Sequence, residues 1–163
     1  MKLGFEWKSI VLAVALTPAV VLTGCRTSSD SVGLPLAEPV AILEDASGSS
    51  EALSTAATTL ITNQADWEAG GFAEACPAPM DFAAHDVVVV AMGEQTSGGY
   101  WVHINAIQLV GSEMYVQFTL NSPGEDEVAA AVMTYPFHAV AIPKTGATLV
   151  VADPTLVSGQ EQP

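Results

Sequence analysis

His85, His103 and His138, Cys25 and Cys76, and Ser97 are the side chains here that could hold a metal or attack a carbonyl carbon. Their spacing selects neither chemistry. Zinc ligands on one element recur at short intervals such as HxxxH, and no such interval joins these histidines. His103 and His138 fall on strand-like stretches beside aromatic residues, where they can share a face, and His85 precedes Asp86 at a strand entrance, a place for a turn role. Ser97 with His103 or His138 would be a nucleophile and its base, but no G-x-S-x-G elbow and no cysteine–histidine signature marks them out. Cys76, in "ACPAPM", has no basic neighbour to lower its pKa and reads as a loop spectator. "GEDE", Gly124 to Glu127, could offer carboxylates to Ca²⁺ but lacks the EF-hand alternation, so a solvated acidic loop is expected. No glycine-rich phosphate loop opens a helix. The expectation is a noncatalytic module with no metal and no cofactor.

"TSGGYWVHI", Thr96 to Ile104, is the stretch that invites a binding role. Gly98-Gly99 can turn the chain sharply, because glycine tolerates positive φ, and this alone explains a glycine pair before a strand. Tyr100 and Trp101 point to opposite faces of that strand, so one core layer cannot bury both. The expectation is that Tyr100 plugs the core and Trp101 is exposed at the edge, as interface anchors are.

The first 24 residues have the pattern of a secretory leader: Lys2 and Lys8, then an apolar run from Ile10 to Leu22. That run is short of the about 20 residues a spanning helix needs. It ends in Leu22-Thr23-Gly24-Cys25, which resembles a bacterial lipobox. Cleavage before Cys25 would leave a lipidated first residue, and several acyl chains, palmitate among them, give stable membrane anchoring. By resemblance to lipoprotein sorting in two-membrane bacteria, Arg26 in place of an aspartate after the cysteine implies the outer membrane of the cell envelope. Residues 25–38 read as a tether, 39–154 as one β domain and 155–163 as a disordered polar tail.

The sequence is 50% hydrophobic and only 13% charged, the composition of a folded domain. Its formal net charge is −14, and Arg26 and Lys144 are the only basic residues after the leader. Such a surface repels phosphate backbones, so nucleic acid is excluded as a partner, and it also suits adaptation to salt.

The elements read as mainly β. Strands are expected at Val40–Leu43, Thr58–Thr62, Val87–Met92, Tyr100–Ile107, Met114–Leu120, Val128–Thr134, Phe137–Ile142 and Ala147–Val151. "VVVVAM" is unbroken and therefore central, with both faces covered. Asn63 and Asp66 ahead of Gly70-Gly71 predict one short capped helix anchored by Trp67. Adjacent strands pair antiparallel by default, which puts Val87–Met92 beside Tyr100–Ile107. The fold class that follows is a small antiparallel β-sandwich or barrel-like domain with one short helix.

A family resemblance rests on an ordered set of features: Trp67, Asp81-Phe82, Gly93-Glu94, Thr96, Gly99-Tyr100, Pro123-Gly124, Thr134, Pro136-Phe137 and Pro143-Lys144. In that order they resemble the C-terminal domain of PrcB-type protease-complex lipoproteins, over roughly Thr58 to Val151. The pattern departs at Ser97, which makes the interval from Thr96 to the glycines one residue longer and shifts the loop tip. The resemblance implies a lipoprotein subunit that associates with and stabilises a secreted protease. Together with the glycine–aromatic loop it points to Gln95, Thr96, Gly98, Gly99, Tyr100, Trp101, Pro136, Phe137 and His138 as partner-binding residues. "TSGGYW" is also similar to the loop of chagasin-type cysteine-protease inhibitors, although Asn-Pro is absent and Trp101 directly follows Tyr100. That likeness implies, as the alternative, an inhibitor using the Gln95–Trp101 loop.

Overall fold

The computed structural model describes residues 37–75, 81–151, 154–160 and 162–163. The leader, Cys25 with most of its tether, and Cys76 lie outside the described residues. In chain order the elements are β1 (Glu38–Pro39), β2 (Glu44–Ser49), a 3₁₀ turn (Glu51–Leu53), β3 (Ala57–Ile61), α1 (Gln64–Ala69), α2 (Phe72–Ala75), β4 (His85–Ala91), β5 (Trp101–Val110), β6 (Glu113–Ser122), β7 (Pro136–Pro143), β8 (Thr148–Val151) and β9 (Thr155–Ser158). They form two sheets. One is antiparallel, in the order β2-β7-β4-β3; the other runs β1-β5-β6-β8, with β9 also on β6. β8 and β9 both lie parallel to β6, so this sheet is mixed.

The apolar runs of β4 and β7 are explained by two cores on opposite faces of their sheet. Val88, Val90, Val140 and Ile142 face the other sheet and meet Val102, Ile104, Ile107, Met114, Val116 and Phe118. Val87, Val89, Ala91, Phe137 and Ala139 face outward under Leu53 and Trp67. Each fully buried branched side chain contributes about 1.5–3 kcal/mol of transfer free energy. Asn63 caps α1 by accepting from Asp66 N at 2.9 Å. The helix therefore holds Trp67 over the second core, where it stacks on Phe72 at 5.5 Å and meets Phe82 at 6.0 Å between ring centroids.

Four expectations need correction. Val87–Met92 and Tyr100–Ile107 do not pair; β4 and β5 belong to different sheets, so the Gly93–Gly99 loop carries the chain from one to the other. Val40–Leu43 is not a strand. The strand is the next six residues, "EDASGS", whose weak intrinsic preference is overridden by full pairing with β7. Val128–Thr134 is an irregular loop. Its amides are met locally, Ala129 N by Glu127 O and Val132 N by Ala130 O, and only Thr134 makes a bridge, to Gln95. The tail is ordered at Thr155–Ser158, because the free edge of β6 beyond β8 takes it as β9. In β5, a bulge between Ile104 and Ala106 resets the alternation, which is how Ile107 reaches the core although its parity opposes that of Ile104.

One buried ion pair locks the far end of the domain. Asp86 is 1% exposed, and its carboxylate accepts from Lys144 Nζ at 3.1 Å and Thr145 N at 3.1 Å. Lys144 Nζ also donates to Thr62 O and Phe82 O, both at 2.9 Å. Asp81 prepares this corner by accepting from Ala83 N and His85 N. Removing one partner of a buried pair strands the other charge, at about 3–5 kcal/mol. The Lys144 side chain is 41% exposed, so Lys144→Met is expected to cost less, about 2–3 kcal/mol. Adding Asp86→Asn should recover part of that loss, read from urea-denaturation midpoints.

Candidate functional site

The Gly93–Gly99 loop is a braced structure. Gln95 N donates to Thr134 O at 2.8 Å and Thr134 N returns to Gln95 O at 3.0 Å. Thr134 Oγ1 donates to Ser97 O at 2.8 Å, and Gly98 N to Ala130 O at 2.8 Å. The Gln95 side chain turns inward to Met92 O. Thr96 is left at the exposed tip. The two glycines are not equivalent. Gly99 has φ +84, and a Cβ there would lie 3.1 Å from Pro123 Cβ; Gly98 has no positive φ, and a Cβ there would meet Ala130 at an ordinary 3.8 Å. Of this pair, Gly99 makes the sharp turn.

Trp101 is not exposed. It is 9% accessible, and its indole Nε1 donates to Gln160 O at 2.9 Å. By strand alternation it does lie on the side of β5 away from Val102, as its parity requires, but the segment after β9 covers it. Asn121, its partner across β5 and β6, is 1% exposed. Asn121 Nδ2 donates to Gly99 O at 3.0 Å, and its Oδ1 accepts from Gln160 N at 3.1 Å. Tyr100 is half-buried and belongs to neither core, so it does not plug the sandwich.

Two clefts flank Trp101. One, about 270 Å³, is lined by Tyr100, Thr134, Pro136, Phe137, Gly48, Ser49 and Gln162. The other, about 320 Å³, is lined by His103, Asn105, Thr119, Gln160 and Pro163. The first unites Tyr100 and Trp101 with Pro136 and Phe137, residues separated by a strand pair and a long loop. Gln95 and Thr96 stand on the adjoining loop. Asn121 and Gln160 were not foreseen: Asn121 has solvent-facing parity, and only the covering segment buries it.

His138 lies beneath this surface, at 2% exposure. Its Nδ1 accepts from Ile104 N at 2.9 Å, beside the β5 bulge. Accepting at Nδ1 places the proton on Nε2, which faces Asp45 Oδ2 at 3.4 Å. The His103 ring stacks on it, 4.7 Å between centroids. Burial pushes the His138 pKa below the ordinary 6.5, against the upward pull of its hydrogen bond to Asp45 and with a downward push from His103. With both nitrogens engaged, this imidazole holds strand β5 to strand β7. Among the described residues no three His, Cys, Asp or Glu side chains converge as a metal cluster would. Glu127 folds back to accept from Gly124 N, so the acidic loop closes on itself.

Residues 87–143, from β4 to β7, match the family model described as PrcB C-terminal. No curated protein and no solved structure matches the chain at a significant level. The PrcB stretch covers less than half of the chain, yet it contains the glycine loop, Asn121 and, of the cleft lining, Tyr100, Trp101, Thr134, Pro136 and Phe137. It leaves out β9 and Gln160, the segment that lies over Trp101.

The glycine asymmetry has a direct consequence. Gly99→Ala should cost about 1–2 kcal/mol from the left-handed backbone alone, before any shift of Pro123. Gly98→Ala should stay within about 0.5 kcal/mol. Thermal melts of the two variants decide this. A second consequence is a pH dependence. Between the depressed pKa of His138 and the ordinary value near 6.5, the unfolded chain binds more protons than the folded one. The contribution of His138 is therefore complete above about pH 6.5 and is lost as the pH falls toward the folded pKa. Denaturant titrations from pH 7.5 to 5 should show this loss, and His138→Gln should flatten it.

Proposed function

We propose that this chain is a noncatalytic, lipid-anchored protein of the bacterial cell envelope that binds and stabilises a protein partner through the Tyr100 cleft. The observation that carries this reading is the convergence of Tyr100 with Trp101, Pro136 and Phe137 on one surface, beside a loop braced at both ends. A half-exposed aromatic ring lining a cleft of mixed polar and apolar character is the kind of anchor that interfaces favour. The match of residues 87–143 to the PrcB C-terminal family model supports a secreted protease as that partner. The lipobox-like Leu22-Thr23-Gly24-Cys25 supports anchoring at Cys25. Thr134, Lys144 and Trp67, which also carry the family resemblance, are accounted for by the scaffold, so the binding role rests on Tyr100, Trp101, Pro136 and Phe137.

The test is crosslinking in native membranes, with an affinity tag placed in the tether and partners read by mass spectrometry. A secreted protease in near-stoichiometric yield is expected. Tyr100→Ala, with an unchanged melting temperature, should lower that yield at least fivefold. Cys25→Ser should move the chain from the membrane to the soluble fraction. Recovery of folded bait alone would contradict the partner reading, and inhibition of the recovered protease would turn it toward the inhibitor alternative.

A further inference from the structure

The segment after β8 sits on the fold as a ligand sits on a receptor. β9 pairs in parallel with the end of β6, from Thr119↔Thr155 to Ser122↔Ser158. Its side chains contribute little: Leu156 is 73% exposed, and only Val157 is half-buried. Two residues further, Gln160 is gripped by its main chain. Asn121 Oδ1 accepts its N–H at 3.1 Å and Trp101 Nε1 donates to its C=O at 2.9 Å. The gripping side chains are buried and are directly paired across β5 and β6. They present one acceptor and one donor, as a neighbouring strand would, and they ask nothing of the Gln160 side chain. The same Asn121 holds Gly99 O, so the grip is wired to the glycine loop.

We propose that the β6 edge with the Asn121–Trp101 clamp is a docking groove for an extended segment of a protein partner, and that residues 155–160 fill it in the free protein. Strand addition of this kind takes its affinity from main-chain hydrogen bonds and its selectivity from a few side-chain positions. The resident segment specifies those positions. Val157 turns partly inward. Gly159 donates its N–H to Ser122 O with φ +66, and a Cβ there would lie 3.4 Å from Gly124 Cα. The incoming segment therefore carries an apolar residue, then a glycine two positions on, then the clamped residue. The domain is strongly acidic, which favours a segment of neutral or basic character. An edge strand with few buried side chains lies at the low-stability end of a fold, so it can leave without unfolding the core. The proposal deepens the partner-binding reading and rests on it for the source of the incoming segment; the groove itself can be tested without that partner.

The probe is a fluorescein-labelled peptide with the sequence of residues 154–163, followed by anisotropy. It is titrated against the native full-length chain and against Gln160→Pro, which lacks the N–H that Asn121 accepts and so detaches the resident segment. The peptide is expected to bind Gln160→Pro at least tenfold more tightly than the native chain. Trp101→Phe, a ring without an N–H, should abolish the gain, as should valine in place of the peptide's glycine. On the native chain alone, the weaker binding should also disappear in Trp101→Phe, which keeps the test decisive if Gln160→Pro does not fold. Equal affinity for native and Gln160→Pro, or binding insensitive to Trp101→Phe, would overturn the proposal. So would a concentration-dependent dimer of Gln160→Pro that exchanges segments between copies, since that assigns the groove to self-assembly. A failure here leaves the membrane pull-down unaffected, so the two readings fail separately.

Discussion

Asn121 carries the constraint on which the upper end of this domain depends. A buried carboxamide must satisfy both its donor and its acceptor, and leaving either unmet costs about 1–3 kcal/mol. Asn121 does so by taking Gly99 O on one side and Gln160 N on the other. The turn that delivers Tyr100 and the segment that covers Trp101 are therefore not independent parts. Each supplies half of what one side chain requires, and the Trp101 indole closes the ring by donating to Gln160 O. Gly99 turns the chain here with φ +84, a backbone that glycine adopts without strain.

Around that knot, most residues that give the chain its family character are scaffold. Trp67 sits between Phe72 and Phe82, Asp81 caps the turn before β4, and Lys144 neutralises buried Asp86 while tying two carbonyls. Thr134 braces the glycine loop, and His138 supplies the acceptor that Ile104 N–H needs beside the β5 bulge. Once those roles are assigned, a smaller set remains without a structural duty that explains its surface: the half-exposed Tyr100 ring and the edge of β6 under β9.

How much of this was legible depended on whether a residue's surroundings were local. The central strand "VVVVAM" was readable because four consecutive apolar residues need cover on both faces, and the two cores provide it. The Asn63 cap was readable because its partner is three residues away. β6 kept a strict alternation and was read correctly, whereas the bulge near Asn105 broke that of β5. "EDASGS" has nothing strand-like in it and becomes a strand only through β7. "VAAAVM" looks like a strand and is not one; the one bridge here falls on the next residue, Thr134, to Gln95. Trp101 and Tyr100 exchanged roles for a similar reason: parity put Trp101 on the outer side, and only a segment nearly sixty residues later decides that the outer side is covered.

The measurement that bears most directly on this account is amide hydrogen exchange, read by mass spectrometry, on the native chain and on Asn121→Ala. If one side chain couples the two segments, the substitution should lower protection in 98–101 and in 158–160 together, while β4 and β7 keep theirs. Loss confined to one of the two segments, or no change in either, would contradict the account.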